Sequence, residues 1–443
     1  MLKNRFGLLP LLVLMMLFSA RAAQAQEVLT LEEAVRIALE RNYDIKLSAN
    51  DERIAENNVT RGNAGMLPTV SATLNNNGSI QNSTQDRGDG RPINEVSWGK
   101  SSNLNYGVGL NWTIFNGFAM FTRYEQLQEL EKLGEANLQL IILSRVGDVM
   151  STFYELVQQQ HQLKAYDTAI AISRLRVTTA QNRFEIGKAA RLEVLNAQVD
   201  FNTDTTNLLR QQELYRNTQI RLNELMARDV NIRFSVPDQL LIDDQLTLGT
   251  LSTQAAQQNP SLKAALLNRR IVELDAKLVR ANRLPVIGVS TGYNFSRNQN
   301  ALSPLGFTSI SSGNGLTYGV TASVPIFNGF NQRRLEQNAN VLINSAQLQY
   351  EQVNQNINAQ LASAYQTYLT NLSLVKLEEN NQRIARQNLD ITMDKYRLGS
   401  ITTVEVRDAQ LNYVNATVRY SNAQYLAKLG EIALKEIAGT LNL

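Results

Sequence analysis

Tyr106-Gly107-Val108-Gly109-Leu110-Asn111-Trp112-Thr113-Ile114-Phe115-Asn116-Gly117-Phe118 sets large apolar side chains at every second position, with Asn, Gly or Thr between them. Such a period of two is the pattern of a β-strand with one apolar face. The stretch returns 212 residues later as Tyr318-Gly319-Val320-Thr321-Ala322-Ser323-Val324-Pro325-Ile326-Phe327-Asn328-Gly329-Phe330. The same interval carries Gly187 to Gly399, Ala197-Gln198 to Ala409-Gln410 and Leu222 to Leu434. Upstream, Leu67-Pro68 matches Leu284-Pro285 at an interval of 217, so the change of length falls between the Leu-Pro and the Tyr-Gly-Val. The chain is one structural unit written twice, with repeats expected over 26–240 and 241–443.

Each half reads as helix, strand, loop, strand, long helix, turn, helix. Strands are expected at about 67–80 and 102–115, and again at about 284–296 and 315–327. The segments between them, 81–100 and 296–314, are rich in Asn, Ser and Gly, as outward-facing loops of membrane barrels are. Strands of about 10 residues with one apolar face suit a transmembrane barrel or a half-buried soluble sheet. Tyr106, Val108, Leu110, Trp112, Tyr318 and Val320 face lipid in the first case and a core in the second. Two hairpins cannot close a membrane barrel, which needs about eight strands. The sheet is therefore either small and soluble or shared among several chains.

The first 25 residues read as a secretory leader. Lys3 and Arg5 precede the apolar run Leu8–Phe18, and Ala23-Gln24-Ala25 has the small-x-small form of a cleavage site. The chain carries 43 Lys and Arg against 40 Asp and Glu, and Lys3, Arg5 and Arg21 all fall in the leader, so the exported part is expected to be neutral. That balance argues against a nucleic-acid partner. With no Cys and a single His, His161, there is no thiolate or His-cluster metal site, no thiol nucleophile and little means for base-assisted catalysis. We expect no catalytic residue, no cofactor and no metal. Gly99-Lys100-Ser101 lacks the earlier Gly of a phosphate loop, because position 94 is Asn94. His161 lies mid-helix and reads as a wall residue. No apolar run past the leader is long enough for a transmembrane helix.

Long helical hairpins are expected at 117–228 and 329–438, with a further helix at 260–283. Leu156, Leu163, Ile170, Val177 and Phe184 recur every seven residues, as do Val404, Leu411, Val418, Tyr425 and Ile432. This is the spacing of a coiled-coil seam. A helix from Gly117 to Glu185 would be on the order of 100 Å long. Gln, Asn, Thr, Ser and Ala fill most other positions, which suits a laterally packed wall with a wet inner face; an ordinary elongated coiled coil is the alternative.

On the duplication, the Leu-Pro before a strand, the Ile-Phe-Asn-Gly-Phe after one and the Gly-centred tip Tyr396-Arg397-Leu398-Gly399-Ser400 followed by Val404-Glu405-Val406-Arg407-Asp408-Ala409, the sequence resembles the TolC family of outer-membrane channel proteins. The resemblance implies an α+β membrane protein: a homotrimer whose chains each give four strands to a twelve-stranded β-barrel, continued by a periplasmic α-helical barrel. It implies an exit duct of a tripartite efflux system, docked to a periplasmic adaptor (membrane fusion) protein and an inner-membrane pump such as an RND or ABC transporter. A type I protein-secretion channel is the alternative within the family, and a secreted coiled-coil structural protein the alternative outside it.

Residue by residue, the family's acidic entrance ring matches Glu405 and Asp408, which share a helix face. Threefold symmetry would gather six carboxylates, favouring cations. The competing reading of Glu405 is a capping box with Thr402. Glu193, the first-repeat counterpart, follows Ala190 where a cap would stand. Tyr396 matches an aromatic that closes the entrance by bonding to a carboxylate at Glu193, whereas the family's basic latch falls on Ile401; Arg191 or Arg397 could substitute. The adaptor is expected at the turns: Ile186, Gly187, Lys188, Leu398, Gly399 and Ser400.

Overall fold

The computed structural model describes residues 27–86, 88–90, 92–300 and 309–441. The leader read at 1–25 lies outside them. In chain order the elements are β1 (Glu27–Val28), α1 (Leu31–Arg41), α2 (Tyr43–Asn58), β2 (Thr69–Gln85), β3 (Asn94–Asn116), α3 (Ala119–Glu185) and α4 (Arg191–Leu225). There follow β4 (Phe234–Ser235), α5 (Leu248–Gln258), α6 (Pro260–Ala281), β5 (Val286–Asn300), β6 (Ser309–Ser323), α7 (Asn331–Arg397) and α8 (Thr403–Ala438). No described helix is long and apolar enough to cross a membrane.

The chain divides into two compact units. One, residues 51–135 and 264–351, holds the sheet, antiparallel in the order β2-β3-β5-β6. Pairing Ala72↔Val108↔Tyr293↔Leu316 and Leu74↔Tyr106↔Phe295 gathers the apolar side chains on one face. Tyr106 stacks on Phe295 with ring centroids 4.9 Å apart. The other face carries Thr73, Gly107, Asn294 and Thr317 on neighbouring strands. Gly107 has no freedom to be larger, since a Cβ there would lie 2.6 Å from the Tyr293 carbonyl oxygen. Tyr106, Val108, Trp112, Tyr318 and Val320 are exposed and Leu110 half-buried.

At their loop ends the strands run further than the alternation indicated, whereas β6 stops at Ser323 rather than near 327. β2 continues to Gln85, β3 begins at Asn94 and β5 reaches Asn300, well into the segments read as loops. The ladder persists where both faces are polar and wet, and there a hydrophobic period has nothing to report. The helix before the first long strand stops early: α2 ends at Asn58, well short of Leu67-Pro68. Residues 61–65 form turns closed by Thr60 Oγ1, which accepts from Asn63 N (3.1 Å), and by Gly65 at φ 79°.

The second unit, residues 27–50, 136–263 and 352–441 among those described, contains the main core. Leu29, Val35, Phe153, Leu156, Leu222, Met226, Phe234 and Ile432 are buried together. Two Asn residues at the 217 interval fasten the repeats alike. Asn42 Nδ2 donates to the Leu225 carbonyl and Asn259 Nδ2 to the Ile437 carbonyl, each at 2.8 Å. The short parallel pair β1–β4 and helix α5 had no expectation; α5 is nevertheless α1 displaced by 217. The linker following β4 is tied down by charge. Asp238 holds His161 (2.8 Å), and Asp243 Oδ2 lies 3.2 Å from Lys435 Nζ. Lys435 in turn pairs with buried Glu431 (2.8 Å), as does Lys428 (2.9 Å).

Beside this cluster, burial and the negative charge of Glu431 push the Tyr154 phenol up to about 12. Burial, with Asp243 and Glu431, does the same for Tyr368, whose hydroxyl donates to the Asp243 carbonyl. A raised phenol pKa means that the fold retains the proton longer than the unfolded chain does. The contribution is complete below the unfolded value of about 10 and is lost as pH climbs from there toward 12. Denaturant midpoints should fall over that interval, and Tyr154→Phe with Tyr368→Phe should flatten the fall.

Candidate functional site at the hairpin tips

Each long hairpin turns on a glycine in the left-handed region, Gly187 at φ 73° and Gly399 at φ 75°. Gly187 N donates to Phe184 O and Lys188 N to Arg183 O; Gly399 N donates to Tyr396 O and Ser400 N to Lys395 O. These bonds close the helix ends in the Schellman manner. A Cβ at either glycine would meet nothing, so the turn requires their backbone freedom and not their small size. Ile186, Gly187, Lys188, Leu398, Gly399 and Ser400 are all exposed. Leu192 and Val404, one turn beyond and again 212 apart, expose apolar side chains too. Leu192 had no expectation, and Val404, read as the start of a helical seam, lies on the surface instead.

The two tips share a cavity of about 500 Å³, whose lining includes Arg183, Glu193, Asn196, Ile401, Thr402 and Glu405. Glu405 is exposed and committed to the cap of α8: Thr402 Oγ1 accepts from Glu405 N (3.4 Å), and Glu405 Oε1 accepts from Thr402 N (3.3 Å). Asp408 is exposed on the same helix. Ala190 makes no side-chain cap for α4, and Glu193 instead pairs with Arg183 at 3.6 Å.

The implied bond from Tyr396 to Glu193 is not made. The Tyr396 hydroxyl is buried with no hydrogen-bond partner among the described residues. Burial first, and then the charge of Glu193, raise its pKa against the opposing effect of Arg183 and Arg176. Arg397, offered as a substitute latch, pairs with Asp394 at 3.1 Å. Arg183 holds Glu193 because it stands in the last turn of α3, across the tip from the first turn of α4.

Above the turns lies a buried polar network that sequence reading missed. From α8, Arg407 Nη1 reaches Asp204 Oδ2 (2.7 Å) and Gln410 Nε2 donates to the same oxygen (2.9 Å), to Ser173 Oγ (2.9 Å) and to Ala169 O (2.9 Å). From α3, Arg176 Nη2 donates to Asp200 Oδ2 (2.9 Å) and to Thr403 Oγ1 (2.9 Å). Ser173 donates to Asp204. The network thus binds the first hairpin to α8. Its charges resemble those of a solvated helix face, and the duplication does not flag them, since Asp204 and Arg407 correspond to Ala416 and Leu195.

A two-faced antiparallel sheet whose edges are both open, on a chain with long polar hairpins, defines a subunit of a multi-chain membrane barrel. Residues 34–228 and 251–440 match the family described as outer membrane efflux protein, and the chain belongs to that family. It is an outer-membrane efflux protein with a periplasmic extension, not an enzyme. It is 22% identical to the outer membrane protein TolC of Vibrio cholerae, over 87% of this chain and 84% of that one. It is 22% identical to TolC of Escherichia coli, over 98% and 87%. In fold it is similar to the Campylobacter jejuni CmeC outer membrane channel (TM-score 0.75, 15% identity, 93% and 85% covered). The outer membrane protein VceC of Vibrio cholerae is similar too (TM-score 0.72, 15% identity, 92% and 96% covered).

Arg407→Ala would strand the Asp204 carboxylate in a buried position, a change that costs about 3–5 kcal/mol. The Arg407→Ala, Asp204→Ala double variant should lose less than the two single variants add up to. Urea unfolding followed by circular dichroism measures the coupling.

Proposed function

We propose that three copies of this chain form the exit duct of a tripartite efflux system, passing drugs or other small molecules from the periplasm to the exterior. The observation that carries this reading is the sheet: four long strands, one apolar face and two open edges, on a chain without a membrane-crossing helix among its described residues. Three sheets supply twelve strands, comfortably above the minimum for a membrane barrel. In this reading energy comes from a partner pump, as the tripartite arrangement requires.

In this reading the exposed tips, Ile186 to Lys188 and Leu398 to Ser400, receive the periplasmic adaptor. Glu405 and Asp408 ring the entrance. The Arg183–Glu193 pair and the buried Asp204–Arg407 network hold the hairpins together there, in place of a Tyr396–Glu193 bond. The first turn of α8 leaves the Glu405 carboxylate exposed while it serves the cap, so one residue can perform both tasks.

The two tasks separate by substitution. Glu405→Gln retains an acceptor for the capping box and removes the charge, whereas Glu405→Ala removes both. In planar bilayers the wild type should conduct weakly with a preference for cations. Glu405→Gln with Asp408→Asn should reduce that preference and the block by polyvalent cations several-fold, with thermal stability unchanged. If selectivity is unaltered while Glu405→Ala lowers stability, Glu405 is a cap alone.

A further inference from the structure

The four strands of the sheet carry three charged residues, Glu95, Lys100 and Arg297. The register fixes the face on which the two cations stand. Between β2 and β3 the pairs Leu74↔Tyr106, Asn76↔Leu104, Gly78↔Ser102 and Ile80↔Lys100 advance by two without a shift, so Lys100 shares the apolar face with Tyr106. Between β3 and β5, Tyr106↔Phe295 is followed by Leu104↔Arg297 and Ser102↔Gln299, which puts Arg297 on that face as well. The opposite face over the same rows runs through Thr73, Asn105, Asn294 and Thr317 and has no charge. Cations that served solubility alone would belong on that polar face. Both stand on the other.

Their height follows from the apolar band. Trp112, whose indole Nε1 donates to the Met66 carbonyl (2.9 Å), stands at the end of β3 that leads into α3. Trp favours the boundary between membrane and water. From Trp112 to Leu104 the strand rises about 27 Å, or about 21 Å of height at the tilt of a membrane strand, against an apolar band about 25 Å tall. Arg297, opposite Leu104, therefore falls at the far rim of the band, where a cation on the lipid face is tolerated as it is not at the midplane. Lys100 lies about 10 Å of height further out. Because the helices extend into the periplasm, this rim belongs to the outer leaflet.

Neither cation is neutralised by the chain. Both are exposed, and no carboxylate among the described residues pairs with either. Elsewhere in the same unit Arg270 holds Glu125 and Arg283 holds Glu336. Glu95 lies beyond the break in register between Gln81 and Ser83. Ser102 and Gln299, both exposed, face each other in the row between the two cations. At the break, Trp98 is 74% exposed and adopts a φ of 56°, and its backbone N–H donates to Asn82 Oδ1 (2.7 Å). A bulge re-aims a side chain, and a non-glycine residue keeps such a backbone only where its surroundings hold it.

We infer that this rim binds the headgroup of a phosphorylated glycolipid of the outer leaflet. Arg297 and Lys100 each take a phosphate, Ser102 and Gln299 bond sugar hydroxyls between them, and Trp98 offers its indole to a sugar ring. The inference rests on the shared-barrel reading above, which makes this face the lipid face. A guanidinium fork matches a phosphate with two parallel bonds, whereas an ammonium acts as a point charge. The two Cα atoms are about 14 Å apart, and strand side chains stand off the sheet side by side. They present two cationic ends and not one pincer, which suits two phosphates held apart by sugars over the single phosphate of a phospholipid.

The test uses the full-length protein in mild detergent, with bound lipid counted by native mass spectrometry. The probes are a disaccharide lipid with two phosphates, its one-phosphate form and phosphatidylglycerol. The two-phosphate lipid should bind most tightly. Arg297→Gln with Lys100→Gln should weaken it roughly thirtyfold and Arg297→Gln alone roughly fivefold, with the mass of the assembly unchanged. Arg297→Lys, which keeps the charge and loses the fork, should fall between wild type and Arg297→Gln. In Trp112→Phe protein, where Trp98 is the remaining Trp, the fluorescence of Trp98 should shift with the same lipid. Equal binding by wild type and the double variant, or binding of phosphatidylglycerol as tight as that of the two-phosphate lipid, overturns the site. Displacement of the lipid by millimolar inorganic phosphate overturns the glycolipid and assigns the cations to a free anion. Bound lipid with unaltered Trp98 fluorescence overturns the aromatic contact. A multimer that binds none of the probes overturns the site and leaves the duct standing, whereas a native mass of one chain for unsubstituted protein overturns the shared barrel itself.

Discussion

An unpaired backbone amide in hydrocarbon costs several kcal/mol, and no water is present to relieve it. That cost governs this molecule. Its four-stranded sheet satisfies the interior strands β3 and β5 on both sides and leaves β2 and β6 with one bare edge each. A sheet that keeps bare edges cannot reside in a bilayer, and one that joins them must recruit further copies. The chain is stable in its intended place only as part of a closed ring. The apolar face of Tyr106, Val108, Tyr293 and Phe295 has the same consequence from the other direction, since in water it would remain an exposed patch of aromatic surface.

Duplication is how a short sequence meets the closure requirement. A repeat that already forms the seam β3–β5 within the chain possesses the side chains to form it again between chains. The matching hairpin registers, the paired anchors Asn42 and Asn259, and the displacement of α1 onto α5 show that the correspondence extends well beyond the strands. The repeats diverge near the hairpin tips. Thr402 caps α8 and Ala190 leaves α4 uncapped, and Asp200 and Asp204 of α4 and Arg407 of α8 have no charged counterparts in the other half.

Much of the fold could be read from two signals, period-two alternation and internal self-similarity, because both record burial directly. Strand ends were lost where alternation gave way to polar residues: Ser83, Thr84 and Gln85 belong to the ladder although they carry no apolar side chain. The end of α2 was lost to local turn chemistry at Thr60 and Gly65. At the tips, Gly187 and Gly399 announced themselves through their turn, and Glu405 through its cap. Arg183 did not, because its partner is reached across a turn, and Asp204 and Arg407 did not, because a buried ion pair and a solvated charge are the same letters in a sequence.

The buried network also bears on why the first hairpin and α8 are joined by charge at all. A seam closed by Leu and Ile would be more stable, since a buried ion pair commonly does no better than a well-packed apolar contact. It would also be indifferent to how it is opened. Here Asp204 accepts from Arg407, Gln410 and Ser173 at once, and Arg176 spans Asp200 and Thr403. Displacing α8 would break these contacts together, but the groups released are ones that water solvates well, in contrast to a parted apolar seam. A polar seam of this kind is specific when shut and tolerates wetting when parted, as the entrance of the proposed duct requires.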